Sequence, residues 1–315
     1  MGGCDRITYP SYLALYESGE LDRRIEKAYQ LLESCSLCPR NCGVNRLKDE
    51  RGFCQVGKKA MISSYGPHFG EEAPLVGQGG SGTIFITSCN LGCLFCQNYE
   101  ISHLRIGNEV EDVEFAQMML YLQALGCHNI NIVTPSHIVP QFLSALKIAI
   151  EKGLRLPIVY NTGSYDSLET LKLLDGVVDI YMPDAKFADK DIAKELCKAP
   201  DYPDVMKKAI KEMHRQVGDL LIDEKGLAVR GLLVRHLVMP EGVAGTEEIC
   251  RFIAEEISPH TYINIMAQYR PCYKAVGHPK IGRRITRQEF EMALQIAREK
   301  GLYRFDQPRW FHFFN

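Results

Sequence analysis

From residue 83 onward the chain alternates between short β-branched runs and longer amphipathic ones, and this alternation limits the fold more than any other feature. TIFIT (83–87), NINIVTP (129–135), LPIVYNT (156–162), VVDIYMP (177–183), GLLVRHLVMP (231–240) and TYINIMA (261–267) read as strands. The stretches 113–126, 139–153, 167–176, 202–218, 246–257 and 286–301 read as helices, several closed by Gly. Strand and helix in alternation imply a parallel sheet with right-handed crossovers. Six strands fit an α/β chain folded as a partial (β/α)6 TIM-like barrel, with an open doubly wound sheet as the alternative. In either, chemistry belongs where the strands end.

Ahead of the alternation the pattern differs. Residues 11–33 carry Leu13, Leu15, Leu21, Ile25, Tyr29 and Leu32 at near-helical spacing and read as one or two short helices, while 35–82 is loop-like and rich in Cys and Gly. The expected division is an N-terminal helical and cysteine-rich metal-binding extension, 1–82, and a barrel with a C-terminal helix and tail, 83–315. The start lacks the apolar core of a signal peptide, and no run approaches the roughly 20 apolar residues of a membrane helix. A cytoplasmic protein with no membrane partner is expected. With 37 basic against 39 acidic side chains, no general pull toward nucleic acid is expected either.

Seven of the 12 cysteines fall within residues 35–96. In a reducing compartment such clustering suggests metal. Cys89, Cys93 and Cys96, in TSCNLGCLFCQN, sit in one loop directly after the first regular strand. Three thiolates at i, i+4 and i+7 can hold three irons of a [4Fe–4S] cube and leave the fourth to a small molecule, whereas a structural zinc site needs four ligands. A zinc loop or a set of core thiols is the plain alternative. Cys35, Cys38, Cys42 and Cys54 form a second constellation, able to close a site around zinc, a single iron or another cube. Cys4, near the terminus, stands apart from both constellations, and Cys127, Cys197 and Cys250 read as small apolar core residues. Cys272, after the sixth strand, stands at the expected rim, and the aromatic tail with Trp310 and Phe311 reads as packing against the barrel.

The spacing of Cys89, Cys93 and Cys96, with Phe95 as the aromatic residue before the last, resembles the signature of the radical S-adenosylmethionine (SAM) superfamily. CNLGCLFCQNYEIS, NIVTPSH, YNTGSYDSLETLKLLDGVVDIYMPDAKF, VRHLVMP and YINIMAQYRPCYKA further resemble the pyruvate formate-lyase activating enzyme group, in particular its uncharacterised iron-sulfur homologues. The likeness covers about residues 35–300. It implies that SAM chelates the open iron and takes one electron from the reduced cube. The products are methionine and a 5′-deoxyadenosyl radical that removes hydrogen from a substrate. Within that resemblance Phe95 and Asn98 belong to the cluster loop, and Asn161 and Thr162 end the third strand near SAM. Asp184 and Lys186 match an Asp-x-Lys, and Arg235 matches an arginine that approaches the SAM carboxylate. Where the group carries a Gly-Gly loop this chain has TPSH, so Thr134 and Ser136 are the candidates there. His236 alternates with Arg235 and is expected on the other face.

The resemblance also implies a low-potential electron donor of the flavodoxin or ferredoxin type and a protein or peptide substrate. A small-molecule substrate is the alternative. Two non-enzymatic readings stand beside these, an iron-sulfur electron carrier and a zinc-stabilised nucleic-acid module. The second would rest on Arg40, Arg46, Lys48, Arg51, Lys58 and Lys59, a basic set diluted by Asp49 and Glu50.

Overall fold

A computed structural model describes residues 9–306; Cys4, Trp310 and Phe311 lie outside the described residues. The strands are β1 (Ala60–His68), β2 (Ser81–Ile86), β3 (Asn108–Val110), β4 (Ile130–Val133), β5 (Ile158–Thr162), β6 (Ile180–Pro183), β7 (Leu221–Ile222), β8 (Ala228–Leu237), β9 (Tyr262–Met266) and β10 (Arg304–Phe305). They form one curled sheet in the order β10-β9-β8-β6-β5-β4-β2-β1-β3, with β7 paired to β8. From β2 to β10 along that order every neighbour is parallel, while β1 runs antiparallel to both β2 and β3. Among the described residues the two edges, β10 and β3, do not pair with each other, and the sheet is a partial TIM-like barrel.

The six expected strands are all present within a few residues of their expected bounds. Within 35–82, which reads as loop, the structure places β1, whose Tyr65, Gly66 and Pro67 pair with Ile84, Thr83 and Gly82 of β2. Residues 11–33 form two helices, Tyr12–Glu17 and Glu20–Gln30, divided at Gly19, whose φ of 72° favours glycine. The helix Lys190–Cys197 was not expected. Asp189 caps it, accepting from the backbone N–H groups of Asp191 and Ile192 at 2.9 and 2.8 Å.

Strand periodicity explains how the fold builds a site. One face of the sheet, carrying Ile158, Tyr160, Tyr181, Leu232 and Val234, packs against the helices as the main core. The other face carries Val159, Ile180, Met182, Leu233 and Tyr262, which close over Leu75 as a separate apolar layer inside the curl. Stepping two residues along the same strands leads from that layer to Asn161, Asp184 and Arg235. The apolar plug is therefore followed, at the C-terminal ends of the strands, by polar side chains on the same inner face. His236 points the opposite way, fully buried, with Nδ1 donating to the Ala185 carbonyl at 2.7 Å and Nε2 accepting from the Thr246 hydroxyl at 2.9 Å.

Candidate active site

The loop after β2 turns at Ser88, a non-glycine residue at φ 74°, and is then held from one side by the end of the helix Lys190–Cys197. Gly92 N–H donates to the Cys197 carbonyl at 3.1 Å and Leu94 N–H to the Leu196 carbonyl at 2.9 Å. These bonds display Cys89, Cys93 and Cys96 on the wall of a cavity of about 260 Å³ at the strand C-termini. Phe95, Asn98, Thr134, Asn161, Thr162, Asp184, Lys186 and Arg235 line the same cavity. Ser136 lies one layer behind, buried, sharing a hydrogen bond of 3.2 Å with the Thr162 hydroxyl.

Each thiol has its own neighbour. Leu91 N–H donates to Cys89 Sγ at 3.3 Å, and the Ser102 hydroxyl donates to Cys96 Sγ at 3.1 Å. The Cys197 thiol stands against Cys93 and favours its protonated form, with burial acting the same way. Burial pushes the Cys89 thiol up to about 12, and it also raises Cys96. Lys186 opposes the rise at all three. Without a positive centre these thiols are neutral, and a bound metal would deprotonate them outright.

The donor set fits an open cube. Three thiols share one wall, and the cavity continues past them to polar strand ends, which leaves one corner for a small molecule.

The opposite wall is an ion network. Arg235 Nε donates to Asp184 Oδ1 at 2.7 Å, its Nη2 donates to Asn161 Oδ1 at 2.7 Å, and Lys186 Nζ donates to Asp184 Oδ2 at 2.6 Å. Burial alone would raise the Asp184 carboxyl, but Arg235 and Lys186 outweigh it and hold Asp184 below the usual carboxylate range. Glu71 reaches Arg235 at 3.7 Å from the β1–β2 connection. Burial, with Glu72 and Asp184 adding repulsion against the pull of Arg235, lifts its carboxyl to about 7.

Sequence reasoning missed Glu71, Ser102 and Cys197 at this site. Only tertiary contact brings Glu71 and Cys197 there, and Cys197 reads in sequence as a plain apolar helix position, whereas Ser102 follows Cys96 by six residues. Cys272 is buried and does not line the cavity. Cys35, Cys38, Cys42 and Cys54 line a second, smaller cavity that also includes Asn90 of the cluster loop.

The chain is similar to several known proteins. The uncharacterized protein MJ0674 of Methanocaldococcus jannaschii is 34% identical over 290 residues, spanning 90% of this chain and 79% of its own length. A solved structure of HydG, a maturase of the [FeFe]-hydrogenase, aligns at 12% identity and a TM-score of 0.49; the match spans 70% of this chain and about half, 49%, of the HydG chain. The profile of the Radical SAM superfamily matches residues 83–223, the segment that contains the three cavity cysteines and the strands ending at Asn161 and Asp184. With its three thiols, its parallel strand ends and this match, the chain belongs to the radical SAM superfamily.

Proposed function

We propose that the chain cleaves SAM reductively at a [4Fe–4S] cluster held by Cys89, Cys93 and Cys96 and takes a hydrogen atom from a protein or peptide substrate, in the manner of a glycyl-radical activating enzyme. The observation that carries this reading is one cavity of about 260 Å³ with three thiols on one wall and the Asp184, Lys186 and Arg235 network on the other. The bound cluster supplies the electron that breaks the sulfonium C–S bond. Lys186 sets a positive charge near all three thiols, which favours their thiolate forms. Arg235, fixed by Asp184 and Asn161, presents a rigid guanidinium at the strand ends that suits a carboxylate such as that of SAM. Thr134 offers a hydroxyl in the same cavity, while the Thr162 hydroxyl is engaged, donating to Asp166 Oδ2 at 2.6 Å.

Among the described residues the β3 and β10 edges do not meet, and an unclosed sheet leaves lateral room for a loop of another chain, which favours a polypeptide substrate. A low-potential donor of the flavodoxin or ferredoxin type supplies the electron. The four N-terminal cysteines are assigned to a second metal centre holding zinc, iron or an iron-sulfur cluster.

The test uses cell extract grown on deuterated glycine and separated into fractions above and below about 10 kDa. Each fraction is incubated with reconstituted, reduced protein and SAM. Deuterium in 5′-deoxyadenosine from the large fraction alone supports a polypeptide substrate. Label arising from the small fraction alone contradicts it and favours a small molecule.

A further inference from the structure

We infer that Cys35, Cys38, Cys42 and Cys54 enclose a second iron-sulfur cube and that Asn90 links this centre to the catalytic loop as an electron relay. This rests on the reading of Cys89, Cys93 and Cys96 proposed above.

The first observation is a buried cation without a carboxylate. Arg46 is 1% exposed, donates from Nε to the Gly57 carbonyl at 3.1 Å and from Nη1 to the His137 carbonyl at 2.8 Å, and leaves Nη2 without a partner. A guanidinium held so deep is costly unless negative charge stands beside it. What stands beside it is sulfur. Arg46 Nη1 is 4.0 Å from Cys35 Sγ. Neutral thiols would leave the cation uncompensated, while four thiolates on a metal centre carry the missing charge.

The pocket is also shaped for thiolates. Phe53 N–H donates to Cys42 Sγ at 3.4 Å, and the backbone N–H groups of Arg40 and Val56 lie against the Cys38 and Cys54 sulfurs. A Cβ at Gly52 would stand 2.7 Å from Cys42 Sγ, so only glycine leaves that sulfur its place. Cys35, Cys38 and Cys42 follow intervals of three and four residues, the reverse of the four and three of Cys89, Cys93 and Cys96. In a cube each thiolate holds its own corner, and Cys54 supplies the fourth.

Asn90 belongs to both centres. Its Oδ1 is 4.0 Å from Cys89 Sγ, its side chain lies against the Cys38 thiol, and its carbonyl accepts from Arg40 Nε at 2.9 Å. One side chain thus touches a sulfur of each set. Arg40 in turn lies 3.9 Å over the ring of Phe53, which is 37% exposed, so the four-cysteine side faces solvent. An electron from a low-potential flavin or iron-sulfur donor reaches this outer centre and passes to the open cluster. The donor is oxidised by one electron, the open cluster is reduced by one, and the outer centre returns to its starting state with no proton moved.

The test is anaerobic reconstitution of the wild type, of Asn90→Ala and of the double variant Cys38→Ala, Cys42→Ala. Iron, sulfide and zinc are counted, EPR relaxation is measured, and reduction by flavodoxin hydroquinone is followed by stopped flow. The expected wild type holds about eight irons and about eight sulfides per chain. Its two reduced clusters relax each other, and the double variant retains about four irons whose signal still shifts with SAM. Reduction of the open cluster slows at least tenfold in both variants, with the iron of Asn90→Ala retained. A wild type with about four irons and one zinc overturns the assignment without any variant. About eight irons with unchanged relaxation and an unchanged reduction rate in Asn90→Ala overturns the relay. If no wild-type signal responds to SAM, the proposed function fails while the iron count and relaxation still decide this inference.

Discussion

Lys186 Nζ lies 2.6 Å from Asp184 Oδ2 at the end of β6, and the same ammonium opposes the rise that burial imposes on all three cavity thiols. One buried cation thus serves both walls of the cavity, neutralising the strand-end carboxylate and favouring the thiolates that a cluster needs.

Lys186→Met is expected to act on both. Asp184 keeps Arg235 but loses one of its two cationic partners, and breaking a buried pair costs about 3–5 kcal/mol when the remaining charge is uncompensated. With Arg235 still 2.7 Å away the expected loss is nearer the lower figure, read by urea unfolding of the unreconstituted chain. The cluster midpoint potential should fall, because a positive charge has been removed from its surroundings.

Ser102→Ala removes the hydroxyl that donates to Cys96 Sγ at 3.1 Å. A hydrogen bond worth about 0.5–1.5 kcal/mol corresponds to roughly 20–60 mV for one electron. The potential should become more negative by up to that amount in an EPR redox titration, with the iron content unchanged. A potential equal to wild type would show that the hydroxyl does not reach the cluster-bound sulfur.

Arg235→Lys keeps the charge but loses the planar fork that binds Asp184 and Asn161 at once. Affinity for SAM, followed by the cluster EPR change on titration, is expected to weaken about tenfold, which is about 1.4 kcal/mol. Stoichiometric iron with unaltered SAM affinity would remove Arg235 from the binding wall.

The pH dependence has two opposed parts. Glu71 is raised from its ordinary value to about 7, so the native chain holds a proton that the unfolded chain releases. Its contribution is complete below about 4.5 and is lost as pH rises through 7. His137 and His236 are lowered by burial to about 4, so their contribution grows as pH rises from 4 toward 6.5. Glu71→Gln should therefore make stability rise more steeply between pH 5 and 7, by up to about 1.4 kcal/mol per pH unit. Urea midpoints across that range check the sign.

The six parallel strands were legible because strands buried on both faces are near-continuous apolar runs, as in Ile130–Val133 and Ile158–Thr162. β1 was not, because its second half carries Ser64, Gly66 and Pro67 and is partly exposed, so local composition argues for loop while pairing with β2 decides otherwise. The helix Lys190–Cys197 is hidden by its charged sequence, though the Asp189 cap was a usable signal. At the site, the cysteine intervals and the polar strand ends could be read because they are local features. Glu71 could not, since only the fold brings the β1–β2 connection to within 3.7 Å of Arg235.

The most direct test of the central claim is EPR of the anaerobically reconstituted, dithionite-reduced chain with and without SAM, together with assay of 5′-deoxyadenosine. Wild type is compared with the triple variant Cys89→Ala, Cys93→Ala, Cys96→Ala. The account predicts a cluster signal that shifts with SAM, and 5′-deoxyadenosine formed only when the three cysteines are present. A wild-type signal indifferent to SAM, with no 5′-deoxyadenosine formed, would contradict it.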